Sequence, residues 1–227
     1  MTFKSFMKEL NGNRVEGELI RTMFYSLLTS FLLLGILYYI KLRFIEDFIP
    51  KYGFFLFFAA LSYALIIPSV RQIRAYSELP CMGGMMVGMT TGMITGFLPG
   101  FYLASTNGMF VGSVFGMILG IILGIYNGKC CGIMGVMEGI MAGFMGGLMG
   151  AMTAFMLFND NLKPATLIVF LISGVIMLLL NYMVYKEMKN EERRKYEDHL
   201  FTILLTFILM TITTWLMVFG PRSGVFG

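Results

Sequence analysis

The amino-acid sequence predicts an all-α, polytopic integral membrane protein with about seven transmembrane helices and a glycine-zipper core formed by the third to fifth helices. The first observation behind this prediction is composition, because 57% of the 227 residues are hydrophobic and only 13% are charged. A soluble domain has about a quarter of its residues charged. The other two observations are seven long apolar stretches and rows of glycine at every fourth position.

The apolar stretches are interpreted as spans because the hydrocarbon core of a bilayer requires about 20 residues of helix. The second stretch is the shortest and carries Pro68 near its end, where neighbouring helices or water can satisfy the carbonyl that a proline leaves free. The first stretch lacks the small-residue cleavage site of a signal peptide. The seven predicted spans cover residues 19–40, 53–70, 82–103, 108–126, 132–158, 165–185 and 200–219.

The distribution of basic residues predicts how these spans are oriented. Segments on the N-terminal side of the membrane contain 12 of the 17 Lys and Arg residues, and the opposite side contains the other five. Since cytoplasmic loops carry the excess of basic residues, we expect the N-terminus in the cytoplasm and the C-terminus outside. The charged loop 186–198 then lies on the cytoplasmic side, either as a solvated helical extension or as a docking site for a soluble partner.

The chain divides into three parts by composition. Residues 1–78 hold an N-terminal interfacial segment and the first two spans, and residues 159–227 hold the last two spans with the charged loop. Between them, residues 79–158 form a Gly- and Met-rich three-helix core. A shift of 51 residues superposes Gly84 on Gly135 and Gly96 on Gly147, which indicates either a duplication or two helices that meet the same packing demand.

Glycines in the third to fifth spans recur every four residues, so each row lies along one side of its helix. Such a row exposes the backbone, and a neighbouring helix can approach closely enough for dispersion and Cα–H···O contacts. Each interior glycine costs about 1 kcal/mol relative to alanine, so repeated glycines indicate that close packing returns more. The predicted packing residues are Gly84, Gly88, Gly92, Gly96, Gly108, Gly112, Gly116, Gly120, Gly124, Gly135, Gly139, Gly143 and Gly147.

Sulfur-containing residues concentrate in the same region, where 14 of the 22 methionines fall between Met82 and Met156. Thiolates and thioethers are the ligands that select Cu(I), so one hypothesis is a site where cysteines collect a soft ion and methionine rows pass it on. The alternative is that flexible methionines fill irregular space beside the glycines. The Cys130-Cys131 pair could equally be lipidated or have no specific role. The candidate ligands are Cys81, Cys130, Cys131, Met82, Met85, Met89, Met93, Met137, Met141 and Met145.

Glu138 is the one ionisable residue predicted inside the three glycine-rich spans, roughly 10 Å from the cytoplasmic start of the fifth span. A carboxyl group inside a membrane is costly, and it is by default a hypothesis of function. Proton coupling or cation binding would be its role. The alternative is a protonated carboxyl that is hydrogen-bonded to Thr90 or Thr91, or one that lies in an aqueous vestibule.

Composition also excludes several classes of protein. A single histidine, His199, excludes bis-histidine haem and most zinc enzymes, and three cysteines cannot form a disulfide framework. No nucleophile with an adjacent base and no phosphate loop is recognisable, so we expect neither an enzyme nor a nucleic-acid partner. Two functions remain: a protein that binds or transports Cu(I), or a noncatalytic structural or assembly subunit of a larger membrane complex or homo-oligomer in the lipid bilayer.

Overall fold

A computed structural model of the chain describes residues 17–40, 48–76, 80–188 and 199–222. These residues form helices and short turns, with no strand among them. The predicted interfacial segment before residue 17 and most of the charged loop 186–198 lie outside the described residues. The long helices are α1 (Gly17–Ile40), α2 (Phe54–Ala75), α3 (Cys81–Asn107), α4 (Met109–Gly128), α5 (Gly132–Met156), α6 (Leu162–Glu187) and α7 (His199–Phe219).

Five helical stretches in the described part of the chain are long and apolar enough to cross a membrane. This finding agrees with a multi-pass, all-helical membrane protein. One of the five stretches contains both α4 and α5, and α3 is not among them, so the count of seven spans stays a prediction. The five stretches are Glu18–Tyr39, Lys51–Ala75, Met109–Met156, Leu162–Glu187 and Leu200–Phe219.

Two prolines lie inside helices rather than at their ends. The second helix was predicted to end near Pro68, but α2 continues past this residue to Ala75. Likewise α3 passes through Pro99 and ends at Asn107. Both prolines are buried, and neighbouring helices can compensate for the hydrogen bond that each proline removes from its own helix.

Helix α2 is the central helix of the bundle, although its sequence gave the weakest prediction of a span. It packs against α1, α3, α6 and α7, and most of its residues are buried. Polar contacts accompany this packing: Ser62 Oγ and Tyr102 Oη are 2.7 Å apart, and Gln72 Nε2 donates to the backbone oxygen of Asn181 over 3.3 Å. An ion pair of 3.1 Å between Arg71 and Glu18 joins α2 to the start of α1.

The other main unit is the trio of α3, α4 and α5, which pack against one another more extensively than any other helices do. Gly108 connects α3 to α4 with a φ of 116°, a conformation that glycine adopts without strain. It therefore belongs to the turn rather than to the packing row in which it was predicted. A short 3₁₀ turn, Lys129–Cys131, connects α4 to α5.

Candidate functional site

The glycine rows of α3 and α5 face each other at very short distances. A Cβ atom built on Gly92 would lie 2.8 Å from the backbone oxygen of Gly139. One built on Gly96 would lie 2.9 Å from the oxygen of Gly143, so the contact advances in steps of four residues on both helices. Because the nearest atoms belong to backbone, neither position has room for a methyl group.

Helix α4 closes one side of this contact with its own glycine row. A Cβ atom on Gly120 would lie 2.8 Å from Gly143 Cα and 2.8 Å from Gly92 O, so one glycine of α4 touches both neighbouring helices. Two glycines inside other helices differ: no atom lies within 4 Å of a Cβ built on Gly35, and the nearest to one on Gly174 is a leucine methyl at 3.7 Å. At neither glycine does the backbone of a second helix approach as it does in the trio.

A second row of small residues on α5, which was not among the predicted packing residues, also contacts α3. A Cβ atom on Gly146 would lie 3.0 Å from Met93 Cα, and one on Gly150 would lie 2.9 Å from Phe97 Cα. Ala142 precedes them by one step of four and is buried. These contacts fix the register of the two helices, with Gly146 beside Met93.

Most methionines of α3 and α5 are exposed on the surface of the trio. Their exposed fractions range from 36% at Met93 to 82% at Met82. Among the described residues, 11 of the 12 strongly exposed methionines belong to these two helices, and Met23 is the other. We call the set the methionine face: Met82, Met86, Met89, Met93, Met134, Met137, Met141, Met145, Met149, Met152 and Met156.

The methionine face borders the α3–α5 contact on the side that α4 leaves open. Helix α4 packs on the row of Gly92 and Gly143, whereas Met93 and Gly146 meet at the adjacent part of the contact. Successive residues of a helix are rotated by about 100°, so the exposed methionines of both helices point away from α4, and those of α5 extend from the edge of the contact to the far side of that helix. The predicted ligands Met82, Met89, Met93, Met137, Met141 and Met145 belong to this face, and Met85 is half-buried beside it.

Glu138 lies at the edge of the methionine face and is half-buried. It precedes Ala142 and Gly146 by steps of four, so the register that pairs Gly146 with Met93 brings Glu138 beside Met85. The two hydroxyls considered as its partners bond elsewhere: Thr90 Oγ1 donates to Met86 O and Thr91 Oγ1 to Val87 O, each over 2.7 Å. Both hydroxyls therefore donate within α3 itself.

Two of the three predicted cysteine ligands lie against the first turn of α3. A Cβ atom on Gly84 would lie 2.8 Å from Cys131 Cβ and 3.4 Å from Cys130 Sγ. Both cysteines are half-buried, and Cys130 Sγ donates to Asn127 O over 3.1 Å. Cys81 is the first residue of α3, but its side chain lies outside what the structure describes.

Glu187, which the sequence did not single out, is close to the same helix start. Its carboxylate approaches Gly83 so closely that a Cβ atom there would overlap Glu187 Oε2. The N-cap of α3 is Pro80, which provides no side-chain cap. Negative charge is favourable at a helix N-terminus, and the first turn of α3 holds no acidic residue, so Glu187 brings negative charge to this turn. Gly83 and Glu187 are 104 positions apart, so no local pattern in a single sequence could predict their contact.

The described residues contain no group of three or more His, Cys, Asp and Glu side chains that could hold a metal ion. No protein-family model, curated protein or solved structure matches the chain. Its function is accordingly argued from its own residues.

Proposed function

We propose that this chain is a seven-span membrane protein with a cytoplasmic N-terminus, an outer C-terminus and a glycine-zipper core, and that its methionine face binds Cu(I). The proposed core is supported by the distances between the glycine rows of α3, α4 and α5. One of the five apolar stretches contains both α4 and α5. If these two helices cross the bilayer separately and α3 crosses it as well, the chain has seven spans. The twelve-to-five distribution of basic residues supports the orientation.

The observation that carries the copper proposal is the concentration of exposed methionine on α3 and α5, which hold 11 of the 12 strongly exposed methionines among the described residues. Side chains that only face lipid need to be apolar, and leucine or isoleucine meets that need. A thioether adds a soft ligand atom, which is the property that distinguishes Cu(I) sites from sites for harder cations. The exposed rows bring many such atoms to one surface.

Within the proposed site, Cu(I) would bind most strongly near Glu138 and Met85. A carboxylate beside several thioethers would neutralise the charge of a bound monovalent cation, and half-burial would strengthen that interaction. Cys130 and Cys131 lie near the end of the face that begins with Met82. They would exchange the ion with the thioethers at this end.

Movement along the face would follow the methionines of α5, which recur at four-residue steps from Met137 to Met149. Each step is about 6 Å along the helix axis. Conduction requires sites that are weak enough to release the ion, and individual thioethers meet this requirement. The route is an outer surface of the trio, where a second helix or lipid would cover it, rather than a pore within one chain.

A Cu(I) titration under reducing conditions tests this proposal. The protein in nanodiscs competes with a chromophoric Cu(I) chelator, and we expect it to withdraw the ion. The variant Met89→Leu/Met93→Leu/Met141→Leu/Met145→Leu should lose this binding, because leucine keeps the volume and removes the ligand atom. The buried pair Met177→Leu/Met210→Leu is the matched control and should bind as the wild type does. Equal binding by the fourfold variant would exclude these four methionines as ligands, and equal binding by a variant with all eleven methionines of the face changed to leucine would exclude the face as the site.

A noncatalytic assembly subunit is the second candidate, and the exposure of the methionines favours it as well. Unbranched, polarizable side chains adapt to varied partner surfaces. In this case the fourfold leucine variant should still copurify with the same membrane subunits in a mild detergent, since its face stays apolar. Protein that elutes alone as a monomer under those conditions would contradict the subunit function.

A further inference from the structure

A cavity of about 590 Å³ lies at the end of the bundle where α2 begins, α3 ends and α6 begins. This is the end opposite the cysteines. Lys51 and Lys163 line the cavity together with the hydroxyl-bearing residues Ser105 and Thr106 and the acidic residue Asp160. The methionine face and the proposed copper site do not include any of these residues.

The polar groups that line this cavity differ in whether they have hydrogen-bond or ion-pair partners. Among the described residues, neither lysine ammonium has a carboxylate within 4 Å. Asp160 accepts a hydrogen bond of 3.0 Å from Asn161 Nδ2, and the hydroxyl of Ser105 donates to Phe101 O over 2.8 Å. Two lysines and one aspartate line the described cavity, so its lining carries a net positive charge.

We propose that this cavity binds the phosphate group of an anionic phospholipid. Two ammonium groups at the rim supply the charge, and the hydroxyl oxygens of Ser105 and Thr106 can accept from the glycerol of a head group. The apolar walls include Phe55, Phe158 and Leu162, which suit the start of an acyl chain. The ends of membrane helices lie at the depth of lipid phosphates, so the ligand is present where the cavity opens.

Retention of lipid by the purified protein tests the proposal. The protein is extracted from nanodiscs that contain equal amounts of phosphatidylglycerol and phosphatidylcholine, and bound lipid is counted by native mass spectrometry. We expect selective retention of phosphatidylglycerol. The variant Lys51→Gln/Lys163→Gln should retain it about thirtyfold less well, since each basic residue near an anionic lipid contributes about fivefold. The variant Lys51→Arg/Lys163→Arg should retain it, as should the control Lys186→Gln at the other end.

Two further measurements distinguish a lipid phosphate from a free phosphate ion. Salt at about 1 M, where the Debye length is about 3 Å, should release phosphatidylglycerol from the wild-type protein. Titration with inorganic phosphate alone should show no saturable binding if the ligand is a lipid, and saturable binding lost in the glutamine variant would identify a free anion instead. Equal retention of both lipids by wild type and glutamine variant would overturn the proposal.

Discussion

Two apolar surfaces of this bundle differ in chemistry although both are exposed. On α6 and α7 the large exposed hydrophobic side chains are Leu, Ile, Val and aromatic residues, with no methionine among those that the structure describes. On α3 every large exposed hydrophobic residue is a methionine, and on α5 seven of eleven are. If contact with lipid alone determined which hydrophobic residues are exposed, all four helices would expose the same residue types.

The buried methionines sharpen the contrast. Met177, Met188, Met210 and Met217 are at most 3% exposed and lie in α6, at its end, and in α7. There methionine serves as a core residue, as its flexible side chain permits. In α3 and α5 glycine and alanine fill the contacts, and methionine is placed outside them. The chain therefore uses methionine as a core residue in α6 and α7 and as an exposed residue in α3 and α5.

Truncation of one methionine from each region gives the largest expected effect. Met210→Ala removes a fully buried side chain of α7 and should lower the free energy of unfolding by about 2–5 kcal/mol. Met145→Ala removes a side chain that is 56% exposed and should cost far less. Thermal unfolding in detergent measures both, and equal losses would show that the methionine face packs against something within the chain.

Alanine in the glycine rows gives the next largest effect, because those rows lie in the contacts between α3, α4 and α5. Gly120→Ala would place a methyl group 2.8 Å from the backbones of both α3 and α5, and overpacking of this kind costs about 1–3 kcal/mol. Gly35→Ala is the matched control, since the space around it is open. It should leave stability unchanged or raise it by about 1 kcal/mol. A harmless Gly120→Ala substitution would contradict close backbone packing.

Much of this arrangement could be predicted from the sequence, because it depends on local periodicity. A four-residue glycine period places its members on one side of a helix, and only another helix can use such a surface well. The bounds of α1 and α7 were likewise predicted to within two residues. The ends of α2 and α3 were less well predicted, because a proline stops a helix only where tertiary packing does not compensate.

The candidate site was less predictable for a physical reason. Methionines beside a glycine row can point into a contact or away from it, and the choice depends on where the third helix packs. Helix α4 takes the side of Gly92 and Gly143, which leaves the side of Met93 and Met145 open. The contact of Glu187 could not be predicted from the sequence for the same reason, since its approach to Gly83 depends on how α6 ends beside α3.

The smallest expected effect concerns the charged end of the methionine face, where Glu187 approaches the uncapped start of α3. Glu187→Gln removes the negative charge and should lower the free energy of unfolding by about 0.3–1 kcal/mol. Gly83→Ala should cost a similar amount, because the new methyl group displaces the same flexible carboxylate. Since both changes remove one interaction, their combination should cost less than the sum. High salt should reduce the Glu187→Gln effect through screening. Additive losses that salt leaves unchanged would show that the carboxylate does not stabilise the helix start.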